Sequence, residues 1–237
     1  MTVLLAFDTA GEHMTVALAA GERRWAKSAS GGSKASAALV PAIMGLLAEA
    51  GLGLADLDAI AFGRGPGAFT GLRTACSVAQ GLALGAGKPV LPIDSLLVVA
   101  EAARAGAATF RAWATIDARM NQIYAAEYRF GDGRWTTLVA PILVNCVELA
   151  RRWGEAPPEA VAGDALLAFA GRLDTGQSLR FPEARADAAS LLALAQHAWR
   201  DGVGVDAAEA LPLYVRDKVA QTTRERDAAR AAAATTP

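Results

Sequence analysis

Residues 63–73 read GRGPGAFTGLR, with glycines at 63, 65, 67 and 71 and Pro66 stiffening the middle. The run ahead of them, LDAIAFG at 57–63, is short, apolar and strand-like, and Thr70–Leu84 behind them has helical composition. The glycines therefore join a strand to a helix, a joint in which backbone N–H groups approach an anion or another stretch of backbone. Thr70 is placed to cap the helix, and Arg64 or Arg73 beside the positive end of its dipole would favour a phosphate. A P-loop is excluded, because Leu72 and Arg73 follow Gly71 where that motif needs a lysine and then a hydroxyl residue. Spacing alone leaves two readings open: a vestigial phosphate cradle at Arg64, Gly65, Gly67 and Thr70, or a tight turn without a ligand.

Upstream of this loop, VLLAFD at 3–8, TVALAA at 15–20 and RRWAKS at 23–28 read as strands turned at Gly11 and Gly21. Ser36–Ala50 follows as a helix, with Leu39, Ile43, Leu46 and Leu47 at i, i+4, i+7 and i+8, Pro41 as a first-turn residue or a kink, and Gly51 as its stop. Downstream come a strand, PVLPI at 89–93, and a helix over 95–105. After Gly106 the pattern restarts with FRAWATID at 110–117, QIYAAEYRF at 122–130 and, past GDG, RWTTLV. Asp8 and Asp117 each end the first strand of a half, and Trp25 and Trp135 follow them by 17 and 18 positions. This is a weak internal duplication. Helical stretches near 146–153, 164–172 and 187–200 alternate with extended pieces at 159–162 and 178–181. Strands then helices, twice, predict an α/β protein of two lobes, 1–106 and 107–220, followed by a flexible tail over 221–237.

Composition narrows the function classes. The 237 residues carry 23 Lys+Arg against 24 Asp+Glu, a formal net charge of −1, which excludes a strongly basic polyanion binder. At 53% hydrophobic and 20% charged residues the chain is globular rather than disordered. Alanine is the commonest residue, so helices are expected to pack closely through small side chains, within and between subunits. The most hydrophobic stretch, Ala75–Leu91, is interrupted by Gln80, glycines and Lys88, so no membrane span is expected. MTVLLAFD lacks a basic leader, and Cys76 and Cys146 form no CxxC, which points to a reducing cytoplasm. His13 and His197 stand alone without HxxxH or HExxH, so no metal site is expected, and no GxSxG is present for a serine nucleophile. Asp8 and Asp117 are where a duplicated ATPase would hold magnesium or activate a hydroxyl across its cleft. Thr9 and Ala10, and Ala118 and Arg119, replace the glycines such a site needs, and Arg119 is as well suited to pairing with a carboxylate of its own lobe.

Three separated strings, GRGPGAFTGLR at 63–73, IDARMNQIY at 116–124 and EALPLYVRDKVA at 209–220, with LLAFDTA at the start, resemble the bacterial TsaB (YeaZ) family over nearly the whole chain. The resemblance implies a duplicated actin-like ATPase (ribonuclease H-like) fold, two lobes of mixed β-sheet flanked by helices. It also implies a non-catalytic role in making threonylcarbamoyladenosine next to the anticodon of tRNAs that read codons beginning with A. In that system the family member is a scaffold without cofactor or metal. It pairs with TsaD, which carries the transferase site, is joined by the ATPase TsaE, acts on tRNA indirectly, and closes a homodimer when alone. The chain departs from the family pattern at Ala35, where many members have histidine, and at Asn121, Gln122 and Ile123.

Helices 36–50 and 70–84 carry more apolar residues than one small lobe covers, so an interface through Leu39, Ile43, Leu46, Gly71, Ala75, Val78, Ala79 and Leu82 is expected. The alternative is that the lobe itself covers both helices. A stand-alone small-molecule kinase of the same fold, with Asp8 or Asp117 as base, is the competing function.

Overall fold

The computed structural model describes residues 1–32 and 35–216; the tail expected over 221–237 lies outside the described residues. Strands β1 (Val3–Asp8), β2 (His13–Ala20) and β3 (Arg23–Ser30) form an antiparallel meander. Helix α1 (Ala35–Ala50), β4 (Ala59–Gly65), α2 (Phe69–Ala86) and β5 (Val90–Asp94) complete a five-stranded sheet of order β3-β2-β1-β4-β5. Both β1–β4 and β4–β5 are parallel, as helical crossovers require.

After α3 (Ser95–Arg104) the second half repeats the plan with β6 (Phe110–Asp117), β7 (Ile123–Gly131), β8 (Arg134–Val144), α4 (Cys146–Glu155), β9 (Ala160–Ala162), α5 (Ala165–Ala168) and β10 (Leu179–Phe181). Its order, β10-β9-β6-β7-β8, carries the same sequence of antiparallel and parallel pairings as the first sheet. The duplication read from two aspartates and two tryptophans is thus a duplication of topology.

The elements stack in five layers. On one face of the first sheet, α1 and α2 bury Leu39, Ile43, Leu46, Leu47, Ala75 and Ala79 against Phe7, Leu18 and Phe62. Each large side chain so buried contributes roughly 1.5–3 kcal/mol. Its other face packs Leu4, Ala6, Ala17 and Ala19 against Leu191, Leu192, Leu194 and Ala195 of α6 (Ala188–Arg200). Helix α3 fills the space between the sheets, with Val98 toward the first and Leu96, Val99 and Ala100 toward Ala114, Ala126 and Tyr128 of the second. Buried Glu101 accepts from Arg104 Nη2 at 2.6 Å and from Trp135 Nε1 at 2.8 Å, fixing α3 to β8. Helices α4 and α5 cover the outer face of the second sheet.

Several elements differ from the sequence reading for physical reasons. Pro41 lies in the second turn of α1 on its exposed side, where the carbonyl of Ala37 that loses its helical partner is open to water. The edge strand β8 runs on past Val139 to Val144, slipping register opposite Ala125–Glu127 next to Pro141. The stretch expected as a helix over 164–172 forms only the four-residue α5. Residues 188–214 pack on the first lobe, α6 beneath its sheet and the chain beyond through an antiparallel bridge between Val205 and Val90, and Val215 and Arg216 then reach the second lobe.

Candidate functional site

A cleft of about 800 Å³ opens between the lobes. Its walls are the β1–β2 turn, the glycine loop, the β6–β7 turn and the chain segment 213–216. Of the residues predicted for the cleft, Gly67, Asp117 and Arg119 line it, whereas Asp8, Arg64, Gly65 and Thr70 do not.

The space beside each glycine of the loop is filled by the protein's own atoms, side chain at Gly63 and Gly65 and backbone carbonyl at Gly67 and Gly71. A methyl group added at Gly63 would overlap the Asp8 carboxylate, one at Gly71 the Thr9 carbonyl, and one at Gly67 would sit 2.7 Å from the Ala10 carbonyl. Only Gly65 has a backbone reason as well, with φ +104 ahead of the cis bond to Pro66. Two hydrogen bonds fasten the same contact, Ala68 N to Ala10 O at 2.8 Å and Thr9 Oγ1 to Gly71 O at 2.7 Å. Contact with segment 8–10 accounts for the glycines as a tight turn would, and Ala10, Gly67 and Ala68 also line the cleft.

The helix cap also differs from expectation. Ala68, extended at φ −63 and ψ 123, is the N-cap of α2 and supplies no side-chain bond, while Thr70 is exposed inside the first turn. Strand β4 runs on to Gly65, which delays the helix by too little to leave Thr70 outside it.

The cations and carboxylates near the cleft are largely engaged with each other. Arg64 pairs with Asp94 at 2.5 Å at the end of β5, and Arg73 stacks 3.8 Å over the Phe69 ring and donates to the Tyr214 hydroxyl at 3.0 Å. Asp8 is 3% exposed and accepts from Ala10 N at 2.6 Å and Ser95 Oγ at 2.8 Å. Burial pushes its carboxyl above the ordinary aspartate value, against the lowering effect of those bonds. Asp8 therefore points into its own lobe and borders only a small recess, whereas Asp117 lines the main cleft. The register explains the asymmetry: Asp8 lies beside Gly63, but Thr115, two residues before Asp117, is the residue packed under Gly163.

Asp117 accepts from Arg119 N at 2.8 Å and pairs with its guanidinium at 3.1 Å, the own-lobe pairing foreseen for Arg119. The same guanidinium reaches Glu12 of the other lobe at 3.1 Å, a tie across the cleft. Sequence reasoning missed Asp164, whose Oδ1 accepts from Asp117 N at 2.9 Å and whose carboxyl is raised by burial. Its signal was available: AVAGD at 160–164 repeats the strand-then-glycine pattern of AIAFG at 59–63.

The residues expected at an interface divide. Leu39, Ile43, Leu46, Ala75 and Ala79 are at most 1% exposed and belong to the lobe's own core, so they are not available to a partner. Gly71, Val78 and Leu82 are half-buried. The surface of the two helices is instead made by Val40 and Met44 of α1, 41% and 46% exposed, and by Ser77, Gly81 and Leu84 of α2, the last 79% exposed. Between Ala35 and Ala48, and between Thr74 and Gly87, neither helix carries a charge.

A family model described as TsaD, tRNA N6-adenosine threonylcarbamoyltransferase, matches residues 32–226. The chain is 33% identical over 227 residues to the tRNA threonylcarbamoyladenosine biosynthesis protein TsaB of Haemophilus influenzae, covering 91% of this chain and 94% of that one. Against TsaB of Escherichia coli it is 34% identical, covering 77% of this chain and 80% of the relative. The structure of YeaZ from Pseudomonas aeruginosa superposes with a TM-score of 0.82 at 36% identity, over 90% of this chain and all of that one. The chain belongs to the TsaB (YeaZ) family. Ala35 is buried at the start of α1, Gln122 closes the β6–β7 turn through backbone bonds with Ala118 and Arg119, and Ile123 fills the core beneath α4. Among the described residues no helix is long and apolar enough to cross a membrane, and no three His, Cys, Asp or Glu side chains are grouped to hold a metal ion.

Proposed function

We propose that this chain is a non-catalytic scaffold in tRNA threonylcarbamoyladenosine synthesis. It pairs with TsaD, recruits TsaE, and so serves threonylcarbamoyl transfer to the adenosine next to the anticodon of tRNAs reading ANN codons. It works in the cytoplasm, without a cofactor of its own, and touches the chemistry of tRNA only through its partners. The observation that carries this reading is the match to TsaB relatives over nearly the whole chain. The glycine loop supports it, because packing against Asp8, Thr9 and Ala10 accounts for its glycines without a nucleotide.

The docking surface in this proposal is the uncharged outer face of α1 and α2, with Val40, Met44 and Leu84 as its apolar contacts and Gly71, Val78 and Leu82 at its border. Leu39, Ile43, Leu46, Ala75 and Ala79 support it from beneath. The same face closes a twofold homodimer when TsaD is absent, because a self-complementary apolar patch buries itself on a second copy. Light scattering on the chain alone and mixed with TsaD, with tRNA modification assayed on the same fractions, tests the proposal. The expected result is a heterodimer that modifies tRNA only when both chains are present. No association, together with ATP turnover by the chain alone, would overturn it in favour of a kinase.

A further inference from the structure

Beyond α6 the chain does not end in its own lobe but crosses the molecule as an irregular strap, residues 205–216. Its first half is built in. Val205 exchanges two backbone hydrogen bonds with Val90, both 2.9 Å, and Ala207 and Ala210 are buried. The Ala210 carbonyl accepts from both Cys76 Sγ at 3.2 Å and Gln80 Nε2 at 2.9 Å, two residues one turn apart on α2.

The second half is held differently. From Leu211 onward the strap has no secondary structure, and Leu211 and Tyr214 are 65% and 46% exposed. Its one backbone bond among the described residues runs from Leu213 N to Arg64 O at 2.7 Å. The remaining contacts are made by side chains. Tyr214 lies against Phe69 with ring centroids 5.6 Å apart and accepts from Arg73, and Arg216 reaches the other lobe to donate to the Ala118 carbonyl at 2.8 Å. Leu213, Tyr214, Val215 and Arg216 all line the interlobe cleft, and Arg216 is bonded to the far bank.

We infer that residues 211–216 are a latch on the cleft, hinged where Ala210 is pinned to α2 and fastened by Tyr214 and Arg216. A segment tied down by one backbone bond, the half-buried Val215 against the second lobe's core and a few side-chain contacts opens at lower free energy than the sheets on either side of it. Opening it removes one wall of the cleft while leaving both sheets intact, and so exposes the part of the cleft that lies behind the strap, Leu72 included. This goes beyond the scaffold reading and stands independently of it.

Hydrogen exchange of the full-length chain reads the latch directly. The Leu213 amide reports opening, and the Phe62 amide in β4 reports global unfolding. Arg216→Ala and Tyr214→Ala each remove one fastening and are expected to speed exchange at Leu213 roughly three- to tenfold, with exchange at Phe62 unchanged. A second measurement follows entry: with Cys76 and Cys146 replaced by serine, Leu72→Cys puts a single thiol on the cleft wall behind the strap. Its labelling by a soluble disulfide reagent should rise on adding Arg216→Ala by the same factor as the Leu213 exchange. Exchange at Leu213 no faster than at Phe62, or unchanged in both fastening variants, would overturn the latch. Unchanged labelling at position 72 despite faster exchange at Leu213 would overturn its control of the cleft.

Discussion

The two lobes share one topology but finish their outer faces for different neighbours. In the second lobe α4 turns Glu148, Arg151, Arg152 and Glu155 outward and ties them in two i,i+4 ion pairs, while Leu149 and Trp153 go into the core. That is a helix completed for water. In the first lobe α1 and α2 occupy the corresponding crossovers, are longer, and present Val40, Met44, Ser77, Gly81 and Leu84 without a charge among them. A lobe can bury only one side of a covering helix. A single exposed apolar residue such as Val147 of α4 needs no explanation, whereas the uncharged group on α1 and α2 is what the docking surface proposed above would account for.

The crossovers differ in the same sense around their glycines. Gly63 lies near the end of β4 and Gly163 just after β9, yet the first packs on a carboxylate and leads into a helix of 18 residues, while the second packs on the Thr115 carbonyl and leads to a helix of four. The second lobe keeps the turn and loses the helix. Both glycines are nevertheless required by contact with the neighbouring strand.

The largest expected effects test that requirement. Gly71→Val forces a side chain into the Thr9 carbonyl, and Gly163→Val does the same at Thr115 with the added strain of φ +116. Each should cost about 3 kcal/mol or more in urea denaturation. If Gly71→Val leaves stability intact, the loop is not packed as described and regains its claim as a ligand cradle. Next in size is the contrast between the outer faces. Met44→Glu or Leu84→Glu should weaken association with TsaD by about tenfold or more, measured by calorimetry, whereas Val147→Glu on the exposed side of α4 should change nothing. Equal effects from both lobes would erase the distinction between them.

Asp8→Asn gives a smaller change with a definite sign. Because burial raises the folded carboxyl above its ordinary 3.8, the wild type is favoured most below that value and loses this advantage as pH rises through the folded pKa. The variant cannot ionise, so its stability relative to wild type should increase over that interval, with Ser95 and Ala10 still able to bond the amide oxygen and nitrogen between them. A difference that does not vary with pH would show Asp8 to be titrating normally. The smallest effect is expected at Gly81, which has open space around it on the outer face of α2. Gly81→Ala should stabilise the isolated chain by about 0.5–1 kcal/mol through helix propensity alone.

Much of this was legible in the chain. The strand and helix alternation, the restart after Gly106 and the strand-to-helix joint at 63–73 follow from periodicity and punctuation, which are local properties. The stripe Leu39, Ile43, Leu46 and Leu47 was correctly read as one helical face, but α1 is apolar on two sides, and periodicity cannot say which side a sheet will cover. The structure gave that side to Phe7, Leu18 and Phe62. Asp164 escaped notice because β9 has only three residues, too few for an alternation to register. The pairing of Arg119 with Asp117 was readable because the two lie within one turn, whereas its reach to Glu12 joins residues 107 positions apart.

By itself the sequence determined a duplicated α/β chain, the position of its glycine joint and the family to which its motifs belong. Those features depend on residue order over a few turns of helix or a few strand residues. Only the tertiary structure decided what fills the glycines, which face of α1 and α2 remains uncovered, and that α6 and the chain after it return to the first lobe before crossing to the second. A glycine records that a side chain is absent but not what takes its place, and the occupants here, Asp8, Thr9 and Ala10, come from a strand end more than fifty residues away. The same holds for the strap: its anchors on Val90, Cys76, Gln80 and Arg64 are long-range contacts that leave no period in the sequence.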